Sequence, residues 1–203
     1  MRYNVVAISR TLGAGGEDLG EALADELGYR YVDSEILDRA AAVAGVTPAA
    51  IAQVEARRGL LSRIVEGLGR ARTQRDSIPG APANPEGYEQ LVVDVIKETA
   101  SMQMVVIVAH GASIPLAGMP GLLRVMVTAS FNQRVQRLAA QVQVPPSEAK
   151  KMVEDSDRAR AEYFRRFFQL DQETPTHYDI VVSTDTLSVD EAAAAILAIV
   201  RVS

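Results

Sequence analysis

Apolar and polar positions divide this chain into short, almost wholly apolar runs separated by longer segments of helical periodicity. Residues 4 to 9 alternate too little for a half-exposed strand and read as a buried strand of a parallel sheet covered on both faces. A helix over 17–27 follows, with Leu19, Leu23 and Leu27 at spacing four and Gly28 as its left-handed stop. Tyr29 to Val32 read as a second short strand, and Ser34 as the cap of a helix reaching about Ala44. Thr47-Pro48 opens a further helix, Leu60, Leu61, Ile64, Val65 and Leu68 mark one over 59–71, and the polar stretch 72–87, rich in proline and glycine, reads as a loop.

Beyond this, a helix from about Glu86 to Met102 leads to an apolar strand over 104–109, a loop over 110–121 and a strand over 123–128. Ser130 with Gln133 predicts a capping box for a helix to about Gln143. Pro145-Pro146 breaks it, and Ser147 is expected to cap a long polar helix reaching about Phe168. A strand over 178–183 follows, then a helix whose capping box is Ser188 with Glu191. Strands alternating with helices, without internal repeat, predict a three-layer α/β/α fold around a parallel sheet.

Composition narrows the picture. A chain of 203 residues, 48% hydrophobic, suits a single domain over 1–203 with an insertion at about 45–90. No apolar stretch approaches the ~20 residues of a membrane span, and Met1-Arg2-Tyr3-Asn4 runs straight into a strand without a leader layout, so the expectation is a cytoplasmic protein without a membrane partner. With no cysteine, disulfides and thiolate metal sites are excluded, and two histidines argue against a histidine-rich site, so any metal would have oxygen ligands and its identity stays unknown. A net charge of -5 argues against nonspecific nucleic-acid binding. Yet only Lys97, Lys150 and Lys151 among the 21 basic residues are lysines, and arginines bunch at 57–75 and 134–166. Such clusters suit a small polyphosphate, although ion pairing on a solvated helix face explains any single arginine equally well.

The most informative segment is NVVAISRTLGAGGEDLG over 4–20, an apolar strand running through a glycine-rich turn into a helix. Gly13, Gly15 and Gly16, with Ala14 between them, let backbone N–H groups approach an anion, and the helix starting near Glu17 adds its positive dipole end. The P-loop pattern G-x-x-x-x-G-K-[ST], laid over the turn, puts Arg10 at the first glycine, Gly15 at the second, Gly16 at the lysine and Glu17 at the hydroxyl residue. Glu17 and Asp18 suit an ordinary helix start but repel phosphate, unless magnesium bridges them or Arg10 reaches back to replace the lysine.

Five segments in order resemble the cytidylate kinase-like proteins of the P-loop nucleoside monophosphate kinase fold: ISRTLGAGG at 8–16, YVDSEILDRA at 31–40, LLRVMVTASFNQRVQRL at 122–138, DRARAEYFRRFF at 157–168 and YDIVVSTDTLSVDEAAAAI at 178–196. The insertion matches least. The resemblance implies ATP and Mg²⁺ as cofactors, small-molecule nucleotides as partners, and an acceptor site made by Asp33, Ser34, Arg39, His110 and Asp157. A Gly-Arg pair is expected where His110-Gly111 stands, so a histidine replaces one phosphate-binding arginine. Asp157 and Arg160 share one helix face, Arg134 and Arg137 repeat that spacing, and with Arg165 they resemble a mobile lid over about 134–168. Arg10, Arg158 and Arg160 would form the transition-state clamp. For Ser34 and Arg39 the alternative is a helix cap and a surface residue.

Two functions stay open at this point. One is transfer of the ATP γ-phosphoryl to a nucleoside monophosphate or related small acceptor. The other is a catalytically degenerate nucleotide-binding sensor or regulatory module, favoured by the lost lysine and hydroxyl. The apolar stripe of helix 59–71 could serve a homodimer or pack on its own chain.

Overall fold

The computed structural model describes residues 2–44, 85–108 and 111–202. The helices expected from Thr47 and over 59–71, most of the loop over 72–87, most of the insertion, and His110 lie outside the described residues. Five strands, β1 (Val5–Arg10), β2 (Arg30–Val32), β3 (Val105–Val108), β4 (Leu122–Thr128) and β5 (Ile180–Ser183), form one sheet in the order β2-β3-β1-β4-β5. Every pairing is parallel, and Val5 stands in register with both Val105 and Leu122. Six α-helices are described: α1 (Gly16–Leu27), α2 (Glu35–Ala44), α3 (Pro85–Ser101), α4 (Phe131–Val142), α5 (Pro146–Phe168) and α6 (Val189–Arg201).

The three layers follow from which side chains each strand sends to each face. Val6, Ile8, Val106, Val108 and Val125 pack with Leu19, Leu23 and Leu27 of α1 and with Ala192, Ile196 and Val200 of α6. Val5, Ala7, Val105 and Ile107 point the other way, onto Ile36 and Ala40 of α2 and Val92 and Ile96 of α3. Central strands apolar on both faces are what a doubly covered parallel sheet requires. α1 lies so close to the sheet that a Cβ on Gly20 would sit 2.4 Å from Val108 Cγ2. A separate small core of Val135, Leu138, Ala149 and Val153 joins α4 to α5, and Leu12 packs against it.

Helix ends divide into those local chemistry decides and those tertiary contacts decide. Gly28 ends α1 at φ 64°, and Ser188 with Glu191 forms the expected capping box on α6. Ser130 does precede α4, but no side-chain cap bond forms, so the Ser130/Gln133 box is corrected. The Ser130 N–H instead donates to Asp185 Oδ1 at 2.7 Å. Ser147 is not the cap of α5 either; Pro145 holds that place and Pro146 opens the helix, where the missing proline N–H costs nothing. Among the described residues, no helix is long and apolar enough to cross a membrane.

Candidate functional site

β1 is the central strand, and its carboxyl end at Arg10 delivers the chain into the glycine turn. The turn closes when Ala14 N–H donates to Thr11 O at 3.1 Å, and Ala14 itself is buried. Gly13 and Gly15 sit at φ 79° and 76°, conformations that side-chain-bearing residues rarely adopt. Helix α1 starts at Gly16, and the N–H groups of its first turn lack intrahelical partners, an arrangement that suits an anion.

Arginines from the α4–α5 hairpin and a threonine from beyond β5 brace this turn. Arg160 donates from Nη1 to Arg10 O at 2.9 Å and from Nη2 to Ser9 Oγ at 3.2 Å. Arg134 Nη1 lies 3.5 Å from Leu12 O. Thr184 Oγ1 donates to Ala14 O at 2.9 Å, while Arg137 Nη1 donates to that hydroxyl at 2.8 Å and Nη2 to Thr184 O. The backbone fit is tight, since a Cβ on Gly13 would stand 2.7 Å from Arg134 O.

Carboxylates hold three of these arginines. Arg10 Nε meets Glu17 Oε1 at 2.5 Å. Arg134 makes a bidentate pair with Asp157 at 2.8 and 2.7 Å, and Arg160 makes one with Glu173 at 2.8 and 2.7 Å. The Arg160 guanidinium also lies 4.8 Å from the Phe164 ring centroid. Phe164 and Phe168 in turn press on Gly111, where a Cβ would come within 2.8 Å of the Phe168 ring. The end of α5 therefore closes onto the segment that follows β3.

The expected residues thus divide. Arg10, Gly13, Ala14, Gly15, Gly16, Glu17, Arg134, Arg137, Asp157 and Arg160 come together around the turn. Asp18 is exposed on the first turn of α1. Asp33 is half-buried at the end of β2. The Tyr31 phenol beside it is pushed up to about 12, by burial first, then by Asp33, Glu21 and Glu17, with Arg10 opposing. It stays protonated, and those charges share one neighbourhood. Ser34 is exposed, and its carbonyl accepts Leu37 N–H at 2.9 Å at the start of α2.

Arg39, Arg158 and Arg165 are placed elsewhere. Arg39 donates to Thr99 Oγ1 and pairs with Glu98 Oε1, each at 2.8 Å, and so joins α2 to α3. Arg158 is 69% exposed beside Asp155, and Arg165 is exposed in the last turn of α5. Sequence reasoning missed Ser9, Glu173 and Thr184. Thr184 lies inside the 178–196 segment and was within reach, whereas Glu173 sits in an irregular loop without any pattern to flag it.

The parallel sheet, its strand order and the glycine turn on the central strand define a P-loop kinase fold. Solved structures of that shape include a shikimate kinase from Bacteroides thetaiotaomicron, with TM-score 0.58, 16% identity and coverage of 98% of each chain. Another is a shikimate kinase from Acinetobacter baumannii in complex with shikimate, with TM-score 0.54, 14% identity and coverage of 99% of this chain and 96% of that one. An uncharacterized protein from Eubacterium ventriosum ATCC 27560 superposes with TM-score 0.70 at 17% identity, over 98% of this chain and 99% of that one. None of the curated proteins matches the sequence. The model of the cytidylate kinase-like family matches residues 5–186, and the chain belongs to that family.

Proposed function

We propose that this protein transfers the γ-phosphoryl group of ATP to a nucleoside monophosphate or a related small acceptor. The observation that carries this reading is the gathering of Arg10, Arg134, Arg137 and Arg160 around one glycine turn at the carboxyl end of the central strand. Phosphoryl transfer needs in-line placement and neutralisation of charge rather than a protein nucleophile, and amides with guanidinium groups supply both. The turn's N–H groups would hold the donor phosphates, with Arg10 in the role of the absent lysine. Arg160, fixed against the backbone of Arg10, would face the transferring group. Asp33 and Ser34 would hold the acceptor. Asp157, engaged by Arg134, is assigned to positioning that arginine. Arg39 is tied to α3 and is left out of the acceptor site, whereas Arg158 and Arg165 could reach the phosphates only through movement of the hairpin.

Among the described residues, no group of three or more histidines and carboxylates could cage a metal ion. That suits magnesium, which is held by one or two carboxylates together with substrate phosphates. Asp18, exposed on the first turn of α1, fits such a role, and Glu17 does so less well because Arg10 already holds it. Magnesium would draw charge off the phosphates.

A coupled turnover assay with Mg·ATP against a panel of nucleoside monophosphates tests the reading. Turnover with one or more acceptors is expected, and nucleotide binding without turnover on any acceptor would reject it. That second outcome would favour the sensor reading, whose motivating observation is Gly16 and Glu17 standing where lysine and hydroxyl are usual.

A further inference from the structure

We propose that Thr184 is a positioning residue for the phosphate-binding turn, and that its hydroxyl, locked by Arg137, holds the Ala14 carbonyl outward so that the Gly15 N–H faces the ligand. This rests on the nucleotide-binding reading of the turn. Thr184 is 2% exposed and lies just beyond β5. Its N–H donates to Thr128 O at 2.8 Å, which fixes the backbone. Its hydroxyl has one proton and two candidate acceptors, Ala14 O at 2.9 Å and Thr128 O at 3.4 Å.

Arg137 helps to fix where that proton goes. A guanidinium only donates, so its bond to Thr184 Oγ1 at 2.8 Å occupies a lone pair and leaves the hydroxyl to donate onward. The shorter of the two routes ends on Ala14 O. In a trans peptide the carbonyl and the next N–H point in opposite directions, so anchoring Ala14 O on the β5 side turns the Gly15 N–H away from it. Gly15 is left-handed at φ 76° and caps α1, so a free peptide there would have room to rotate. Where a P-loop lysine would enforce phosphate affinity, Gly16 stands, and the set of the amides has correspondingly more weight.

The test is calorimetric titration of Mg·AMPPNP into the full-length protein, with ¹⁵N-resolved spectra of the Gly15 and Gly16 amides, for Thr184→Val, Thr184→Ser and Arg137→Ala. Thr184→Val should weaken binding about tenfold and shift the unliganded Gly15 amide, whereas Thr184→Ser should stay within about twofold of the parent. Arg137→Ala should fall between them, because the freed hydroxyl then divides its proton between Ala14 O and Thr128 O. Wild-type affinity and an unmoved Gly15 amide in Thr184→Val would overturn the assignment. Should the parent protein bind no nucleotide, the binding reading fails by itself, and the Gly15 shift in valine against serine still decides the strut. If Thr184→Val does not fold, the Arg137→Ala amide shift carries the same decision.

Discussion

Arg10 and Glu17 meet across the glycine turn, Nε to Oε1 at 2.5 Å, so the last residue of β1 grips the first turn of α1. The pair flanks Gly16, which stands where a P-loop has its lysine, and Glu17 itself takes the place of the hydroxyl residue. The two charges compensate one another, and removing one exposes the other. Arg10→Ala should therefore cost about tenfold in kcat/KM for ATP, because an uncompensated carboxylate then faces the phosphates. The double variant Arg10→Ala with Glu17→Gln should recover about threefold of that loss, read in a two-by-two kinetic cycle. Additive losses would show that the two side chains do not act through each other.

Arg160 is expected to affect turnover more than binding. It braces the backbone of Arg10, touches Ser9 and is doubly held by Glu173. Arg160→Lys keeps the charge but loses the planar fork, so it should restore little of the roughly hundredfold drop in kcat expected for Arg160→Ala. The drop should appear in kcat with KM for ATP nearly unchanged. A KM effect alone would demote Arg160 to ground-state binding.

Close packing makes Gly20 a stability probe away from the proposed chemistry. An added methyl would stand 2.4 Å from Val108 Cγ2 and 3.0 Å from the Tyr31 ring. Gly20→Ala should destabilise by about 1–3 kcal/mol in urea denaturation, against a gain in helix propensity of less than about 1 kcal/mol. A neutral result would mean that α1 can lift from the sheet.

The link between α3 and β3 stores strain in the opposite sense. Gln103 and Met104 are consecutive left-handed residues at φ 59° and 50°, and both are exposed. Gln103→Gly should raise stability by about 0.5–1 kcal/mol, a Tm increase of about 1–4 °C by calorimetry. A lowered Tm would show that the glycine's unfolded-state entropy outweighs the relief.

Acid should weaken the fold partly through Asp179. Its carboxylate accepts from the Arg124 N–H at 2.9 Å and from the guanidinium at 2.7 and 3.2 Å, and these bonds hold it below its ordinary value of 3.8. The folded form binds this proton less readily than the unfolded form, so the contribution is complete above 3.8 and lost as pH falls through the depressed folded value. Asp179→Asn should lower the urea midpoint at neutral pH, and its gap from the parent should shrink as pH falls below 3.8. A gap constant with pH would mean the carboxylate adds no proton-linked stability.

Strand positions and most helix positions were legible because burial writes itself as runs such as VVAIS and VVIV, and as leucines at spacing four in α1. The caps at Ser130 and Ser147 were misread for a specific reason. A hydroxyl before an apolar run is a local signal, whereas Asp185 and Pro146 decided those ends through tertiary contact and backbone chemistry. The glycine turn and the Arg134, Arg137, Asp157 and Arg160 cluster were legible through helical spacing and the ordered segments. The pairing of these arginines was less so: Thr184 lies in a matched segment but 47 residues beyond Arg137, Glu173 stands in an irregular loop 13 residues beyond Arg160, and no local pattern encodes which acceptor a guanidinium will choose.

Leu12 belongs to the glycine turn in sequence and to the small core between α4 and α5 in packing. A swing of the hairpin would either pull the turn along or strip the partly buried Leu12 side chain into water, so an aliphatic contact joins the Arg134 and Arg160 bonds in coupling the two helices to the turn.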